Sequence, residues 1–172
     1  MQNQITILIE KPFLWLLFHL LLSDNNVLDT VLEPKFNITG YLNENKGTSF
    51  KHYWFQKLEY ILWKDWQDKE DSRFKNFRIT SKNSIEHIHP QSKADNIAIN
   101  VDDFGNLVLL SVAQNSEYSD KEVNVKKQEF LNKTTYDSLK SYFIFKNNDW
   151  TPNEVGFHRD VMIEKLSEHY NK

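Results

Sequence analysis

The sequence predicts an α+β fold, mostly helical, with a small two-stranded element set among helices. Three observations carry this. Apolar residues recur at helical spacing through the middle and the last third of the chain. Short runs rich in Ile, Val and Leu lie at residues 84–89 and 107–110, too short for helices and bounded by polar punctuation. No internal repeat and no low-complexity linker interrupts the 172 residues, a length suited to one ordinary domain with a helical extension.

Taken in order, residues 5–9 form an apolar run, Glu10 and Lys11 interrupt it, and residues 12–22 are almost wholly apolar around His19. This is too short and too interrupted for a membrane span. It also lacks the basic start and small-residue cleavage site of a signal peptide. A buried helix with Pro12 in its first turn is expected, and a helix apolar on all sides needs a cover from this chain or a partner. Residues 1–48 are therefore read as an apolar helical extension or interface segment, and residues 49–172 as the main domain.

A helix starting near Ser49 puts Trp54, Leu58, Ile61 and Leu62 on one face and Lys51, Lys57, Glu59 and Lys64 off it. Residues 74–80 and 84–89 read as two short strands, with Lys82-Asn83 at the turn, and residues 107–110 as a third, buried one. Helices are expected over 121–131 and 136–145. The last helix is signposted by Thr151 as cap, Pro152 in the first position and Glu154 as the capping-box partner, and runs to about Tyr170.

Composition narrows the function. There are no cysteines, so disulfides and cysteine-held zinc are excluded, and a reducing cytoplasm suits the chain. Any metal must sit on His, Asp, Glu or Asn, a donor set that favours a catalytic divalent ion. The formal charge of -3 argues against strong autonomous DNA affinity, though not against a nuclease targeted by a partner. The 12 Phe, 7 Tyr and 5 Trp mostly fall on apolar helical faces, which assigns them to the core before any role in base stacking. Only four glycines occur, none grouped, so there is no phosphate-cradling loop.

The chemistry concentrates in residues 85–115: Ile85-Glu86-His87-Ile88-His89-Pro90-Gln91-Ser92, then Gly105-Asn106-Leu107-Val108-Leu109-Leu110-Ser111, then Asn115. Phosphodiester hydrolysis needs a base for water, positive charge at the phosphate and stabilisation of the leaving oxygen. His87 is suited to be the base, because imidazole titrates near neutral pH. Glu86 and Asn115 offer oxygen ligands to a divalent cation, leaving room for water and phosphate. Asn106 is suited to pin the loop between the strands through its amide. Adjacent strand residues face opposite ways, so Glu86 and His87 diverge and a phosphate would lie across the strand end. His89 shares the His87 face and is either an auxiliary phosphate or metal group or, the favoured reading, a structural hydrogen-bonder. Pro90 ends the strand. Lys126 and Lys127 are the preferred phosphate contacts within a lysine-rich stretch, against a plain solvated face.

These motifs resemble the HNH, or His-Me finger, nuclease signature, and more narrowly the C-terminal nuclease domain of GmrSD-type modification-dependent restriction enzymes. Lys57-Leu58-Glu59-Tyr60-Ile61-Leu62-Trp63, Ser119-Asp120-Lys121, Lys126-Lys127 and Trp150 extend the resemblance from about Ser49 to the C-terminus. The resemblance implies a ββα-metal motif with His87 as general base, Glu86 and Asn115 as metal ligands and Asn106 as scaffold. It implies a divalent cofactor, Mg or Mn first with Ni or Zn compatible, and products with 5′-phosphate and 3′-hydroxyl ends. Glu86 stands where many HNH proteins carry Asp. Arg159 sits about one position from the family spacing and His158 competes for its role, which is nucleic-acid contact. Larger members carry a nucleotide-binding N-terminal domain; the chain is expected to be the nuclease half, working with such a domain or partner. The expected activity is DNA cleavage in anti-phage defence. The alternatives are a catalytically silent subunit that binds nucleic acid or a partner, and an RNA-cleaving HNH toxin.

Overall fold

The computed structural model describes residues 37–170 apart from 80–81 and 97, with no side-chain placement at 94–96. The expected N-terminal apolar helix lies outside the described residues. By internal contacts the main unit is Ile38–Lys172, so it begins ahead of the expected Ser49 boundary. Its helices are α1 (Ile38–Leu42), α2 (His52–Lys64), α3 (Ser72–Lys75), α4 (Val112–Tyr118), α5 (Val123–Asn132), α6 (Leu139–Phe145) and α7 (Pro152–Tyr170). Strands β1 (Ser84–His87) and β2 (Leu107–Leu110) pair antiparallel, with Glu86 opposite Val108 and His87 opposite Leu107. Short 3-10 turns at Gly47–Ser49, Gln91–Asn96 and Phe104–Asn106 complete the chain path. The fold is α+β and mostly helical, and α4 follows β2 directly.

The core forms where the helical spacing predicts. Trp54, Leu58, Ile61 and Leu62 of α2 are all buried, and every residue of β2 is buried. Phe50, Phe55 and Phe104 interlock with ring centroids 4.9–6.3 Å apart, and Trp66 stacks on Phe74 at 5.3 Å. Most of the aromatic complement is thus spent on packing.

Two residues expected on the polar side of α2 are buried instead. Glu59 accepts from the Leu139 and Lys140 amides at 2.7 and 3.2 Å and from the Ser138 hydroxyl, so it closes the first turn of α6. Burial raises its carboxyl pKa even against these donors. Lys57 lays its stem inward, with its ammonium 4.8 Å from the Tyr170 ring centre.

The strand expected at 74–80 does not form over its described part. Asp71 caps Arg73 and Phe74 and starts the single turn α3, after which Phe74 and Phe77 both turn to the core. A three-residue apolar spacing serves a helical turn, not an alternating strand. β1 likewise stops at His87, short of His89. Beyond it, the Ile88 amide donates to the Asn106 carbonyl at 2.9 Å, and the ladder gives way to a loop. Helix α6 starts at Leu139 rather than 136, because Ser138 caps it by accepting from the Ser141 amide at 3.1 Å. Helix α7 has the expected bounds, with the Thr151 hydroxyl on Glu154.

Gly105 sets how close α7 comes. A Cβ there would collide with the Val155 carbonyl of α7 and press on Arg159 Cβ, so only glycine lets the helix lie against the Phe104–Asn106 turn. That contact fixes the loop from which the candidate site is built.

Candidate active site

The end of β1 presents two different environments. On one side, His87 Nε2 lies 3.0 Å from Asp102 Oδ1. The same oxygen accepts from Gln91 Nε2 at 3.1 Å. The main chain of Asp102 is held as well, its carbonyl accepting from the Gly47 amide at 3.1 Å. Gly47 has a φ of +52°, and a Cβ on it would collide with the Asp102 carboxylate. Glycine therefore serves two needs at once, the left-handed backbone and the space for the carboxylate.

On the other side, Glu86 Oε1 accepts from Lys126 Nζ at 2.7 Å, and the same ammonium donates to the His87 carbonyl at 2.6 Å. Lys126 is 0% exposed. Burial lowers its pKa, while the adjacent Glu86 pulls it back up. Ser84 precedes Glu86 by two and shares its face of β1. Asn115 of α4 donates its amide to Ser84 Oγ at 2.6 Å, which brings Asn115 to that same face. The Asn115 oxygen is left for another partner.

This donor set fits a hard divalent cation. Glu86 Oε2 carries no hydrogen bond among the described residues, and Asn115 Oδ1 adds a neutral oxygen. Among the described residues no cluster of three or more His, Asp or Glu exists, so any ion held here would keep much of its water. That is the usual state of such ions in phosphoryl chemistry.

Asn106 is fully buried, and both ends of its amide are engaged. Nδ2 donates to the His89 and Val101 carbonyls at 3.1 and 2.9 Å, and Oδ1 accepts from the His89 amide at 2.9 Å and Trp150 Nε1 at 3.0 Å. It stitches the two ends of the loop to each other and to the segment entering α7. His89 is buried with Nε2 3.3 Å from the Lys93 carbonyl.

The residues expected to contact nucleic acid are placed differently from one another. Lys126 is in the interior rather than on a phosphate-facing surface, because its ammonium answers Glu86. Lys127 points outward and donates to the Asn147 carbonyl at 2.6 Å. Arg159 Nη1 binds Asp103 at 2.8 Å, and Nε binds Asp160 at 2.9 Å, so it fastens α7 to the loop. His158, its competitor, is buried edge-on to Trp150, and burial drives its pKa well below the ordinary imidazole value. Several surface lysines are neutralised at home: Lys121 by Glu129, Lys133 by Glu117 and Asp137, and Lys93 by Glu122.

Sequence reasoning missed Asp102, Ser84 and the Glu86–Lys126 pair. Asp102 carries no motif signal, since Asp102-Asp103 reads as loop punctuation and only folding brings one of the two to His87. With this geometry in place, a family model described as "GmrSD restriction endonucleases, C-terminal domain" matches residues 38–165. The chain belongs to that family. The matched span covers the described unit almost to the end of α7 and includes Glu86, His87, Asp102, Asn106 and Asn115. No curated protein and no solved structure matches the chain. Among the described residues no helix is long and apolar enough to cross a membrane.

Proposed function

We propose that the chain is an HNH-type endonuclease, dependent on a divalent metal, that hydrolyses DNA phosphodiester bonds as the nuclease part of a cytoplasmic restriction system directed at phage DNA. One observation carries this reading most: a histidine and a carboxylate–amide pair flank the same strand end, with Glu86 and Asn115 on one face and His87 on the other. A phosphate lying across that end would meet both.

His87 takes the proton of the attacking water. The water oxygen bonds to phosphorus, and the bond to the 3′ oxygen breaks, leaving a 5′-phosphate and a 3′ oxygen that takes a proton from solvent to become the 3′-hydroxyl. Glu86 and Asn115 would hold Mg or Mn, with Ni or Zn also compatible; when bound, the ion supplies charge neutralisation at the phosphate and the leaving oxygen. Asn106 keeps the loop from drifting, so that base and ligands hold their separation. Asn115 is oriented for its part by Ser84.

The test is plasmid nicking with Mg, Mn, Ni or Zn, alongside an RNA substrate. DNA is cut by the parent chain, and His87→Ala abolishes cleavage while the fold and metal binding survive. If His87→Ala cuts as well as the parent, the assignment of the base is wrong. Preferential RNA digestion would make the chain an RNA-cleaving relative of the same chemistry.

A second reading has its own support. The Lys126 ammonium already occupies one Glu86 oxygen, and the surface lysines are paired with acids. A nuclease-fold subunit that binds DNA or a partner without cutting would show no nicking with any of the four metals. In either reading DNA is delivered by a partner or a further domain, a role that fits the nucleotide-binding half of GmrSD-type enzymes.

A further inference from the structure

We infer that Asp102 is a positioning residue for His87: it fixes the imidazole in the Nε2–H tautomer, so that Nδ1 is the nitrogen offered to water. The inference rests on the reading of His87 as the base and adds which atom acts and what sets it.

The argument is one of donors and acceptors. A carboxylate only accepts, so the nitrogen 3.0 Å from Asp102 Oδ1 must carry the hydrogen. In a neutral imidazole the other nitrogen then has the free lone pair. Nδ1 has no hydrogen-bond partner among the described residues and is not among the side-chain atoms sealed from solvent without one. The His87 side chain is 9% exposed.

Asp102 is built to hold this position although its side chain is 40% exposed. Gln91 donates to the same carboxylate oxygen. The Gly47 amide anchors the Asp102 carbonyl, and the missing Cβ of Gly47 leaves room for the carboxylate. The Asp102 amide also lies 3.3 Å from Asn100 Oδ1. Gln91, Gly47 and Asn100, from three stretches of chain, thus converge on one aspartate whose Oδ1 meets His87.

The experiment reads the tautomer directly. The full chain, labelled with 15N-histidine and free of metal, is examined by two-bond 1H–15N correlation with the imidazole neutral, and the His87 signals are assigned by their loss in His87→Gln. The parent shows His87 as a single Nε2–H form with a downfield, slowly exchanging Nε2 proton. Asp102→Ala loses that proton and shifts toward the mixed tautomers of a solvated histidine, while its thermal melt stays close to the parent. Asp102→Asn, whose amide can turn its NH2 toward Nε2, also loses the single Nε2–H form. In cleavage, Asp102→Ala lowers kcat roughly 10- to 100-fold, the usual cost of removing an orienting partner, with KM retained. A His87 ring protonated on Nδ1 in the parent, or His87 signals indifferent to Asp102→Ala, would overturn the inference. Because the spectra need no cleavage, a chain that proves catalytically silent leaves this result readable on its own.

Discussion

Glu86 and His87 are neighbours in sequence and opposites in surroundings. The charge that answers Glu86 is a lysine with 0% exposure, whereas the charge beside His87 is a carboxylate with its side chain 40% exposed. Glu86 and His87 are themselves similarly buried, at 9% and 7% exposure, so the contrast lies in the partners: an interior ammonium on one face, a carboxylate in contact with water on the other. The difference follows from the alternation of a strand placed at the rim of a small sheet. It teaches that the two halves of the candidate site answer to different constraints: the Glu86 face seals an ammonium in the interior, and the His87 face leans on a carboxylate in contact with water.

The largest expected effect tests this division. Glu86→Ala strands the Lys126 ammonium in the interior, and loss of one partner of a buried ion pair costs about 3–5 kcal/mol. His87→Ala strands no buried charge, since Asp102 keeps Gln91 and water, so its cost is about 1 kcal/mol. Both variants lose cleavage, but urea melts separate them. Equal losses of stability would show that the two faces are not distinct in the way described.

Lys126→Met sharpens the same comparison from the other partner. Glu86 is nearer the surface than Lys126, with its side chain 11% exposed, so the stranded carboxylate costs less, about 2 kcal/mol. The variant also frees Glu86 Oε1. Mg or Mn should then raise the melting temperature of Lys126→Met by more than that of the parent, because ligand binding to the native state stabilises it by linkage. An equal rise in both would mean that lysine and cation do not share the carboxylate.

A second buried lysine shows what happens without a carboxylate. Lys140 donates to the Phe104 and Leu107 carbonyls and lies 4.0 Å from the Phe104 ring centre, with no acid in direct contact among the described residues. Burial pushes its pKa down to about 7 from an ordinary 10.5. The unfolded chain therefore holds more protons than the native one between these values, and the Lys140 contribution to stability rises as pH increases from about 7 toward 10.5. Lys140→Met removes that contribution, and its melts should gain less between pH 7 and 9 than the parent's. Identical pH dependence in the two proteins would contradict a lysine so shifted.

The sequence carries the helices and the motif well, and the partners poorly. Helix α7 is legible because Thr151, Pro152 and Glu154 act within one turn. Strands β1 and β2 are legible because short apolar runs flank the motif residues. The turn at Ser72–Lys75 is not, since Phe-rich sequence reads as strand until Asp71 is seen to cap it. Glu59 and Lys126 look like solvated charges because only the folded chain supplies the α6 amides to the one and Glu86 to the other. Asp102 is invisible for the same reason: its partner is fixed by the loop that Asn106 and Gly47 close.

The smallest expected effect concerns another pair of neighbours. Lys126 and Lys127 look alike in sequence, yet only Lys127 faces outward, with its ammonium on the Asn147 carbonyl. Lys127→Ala should change stability by no more than about 0.5 kcal/mol, as for other surface substitutions. If Lys127 meets phosphate, its removal lowers the slope of log binding constant against log salt by about 1, and weakens binding alike for different DNA sequences. Fluorescence anisotropy on two unrelated duplexes across a salt series measures both. An unchanged slope would return Lys127 to the solvated face. Phosphate contact would then fall to a cation at the strand end itself, where Glu86 and Asn115 offer oxygen ligands.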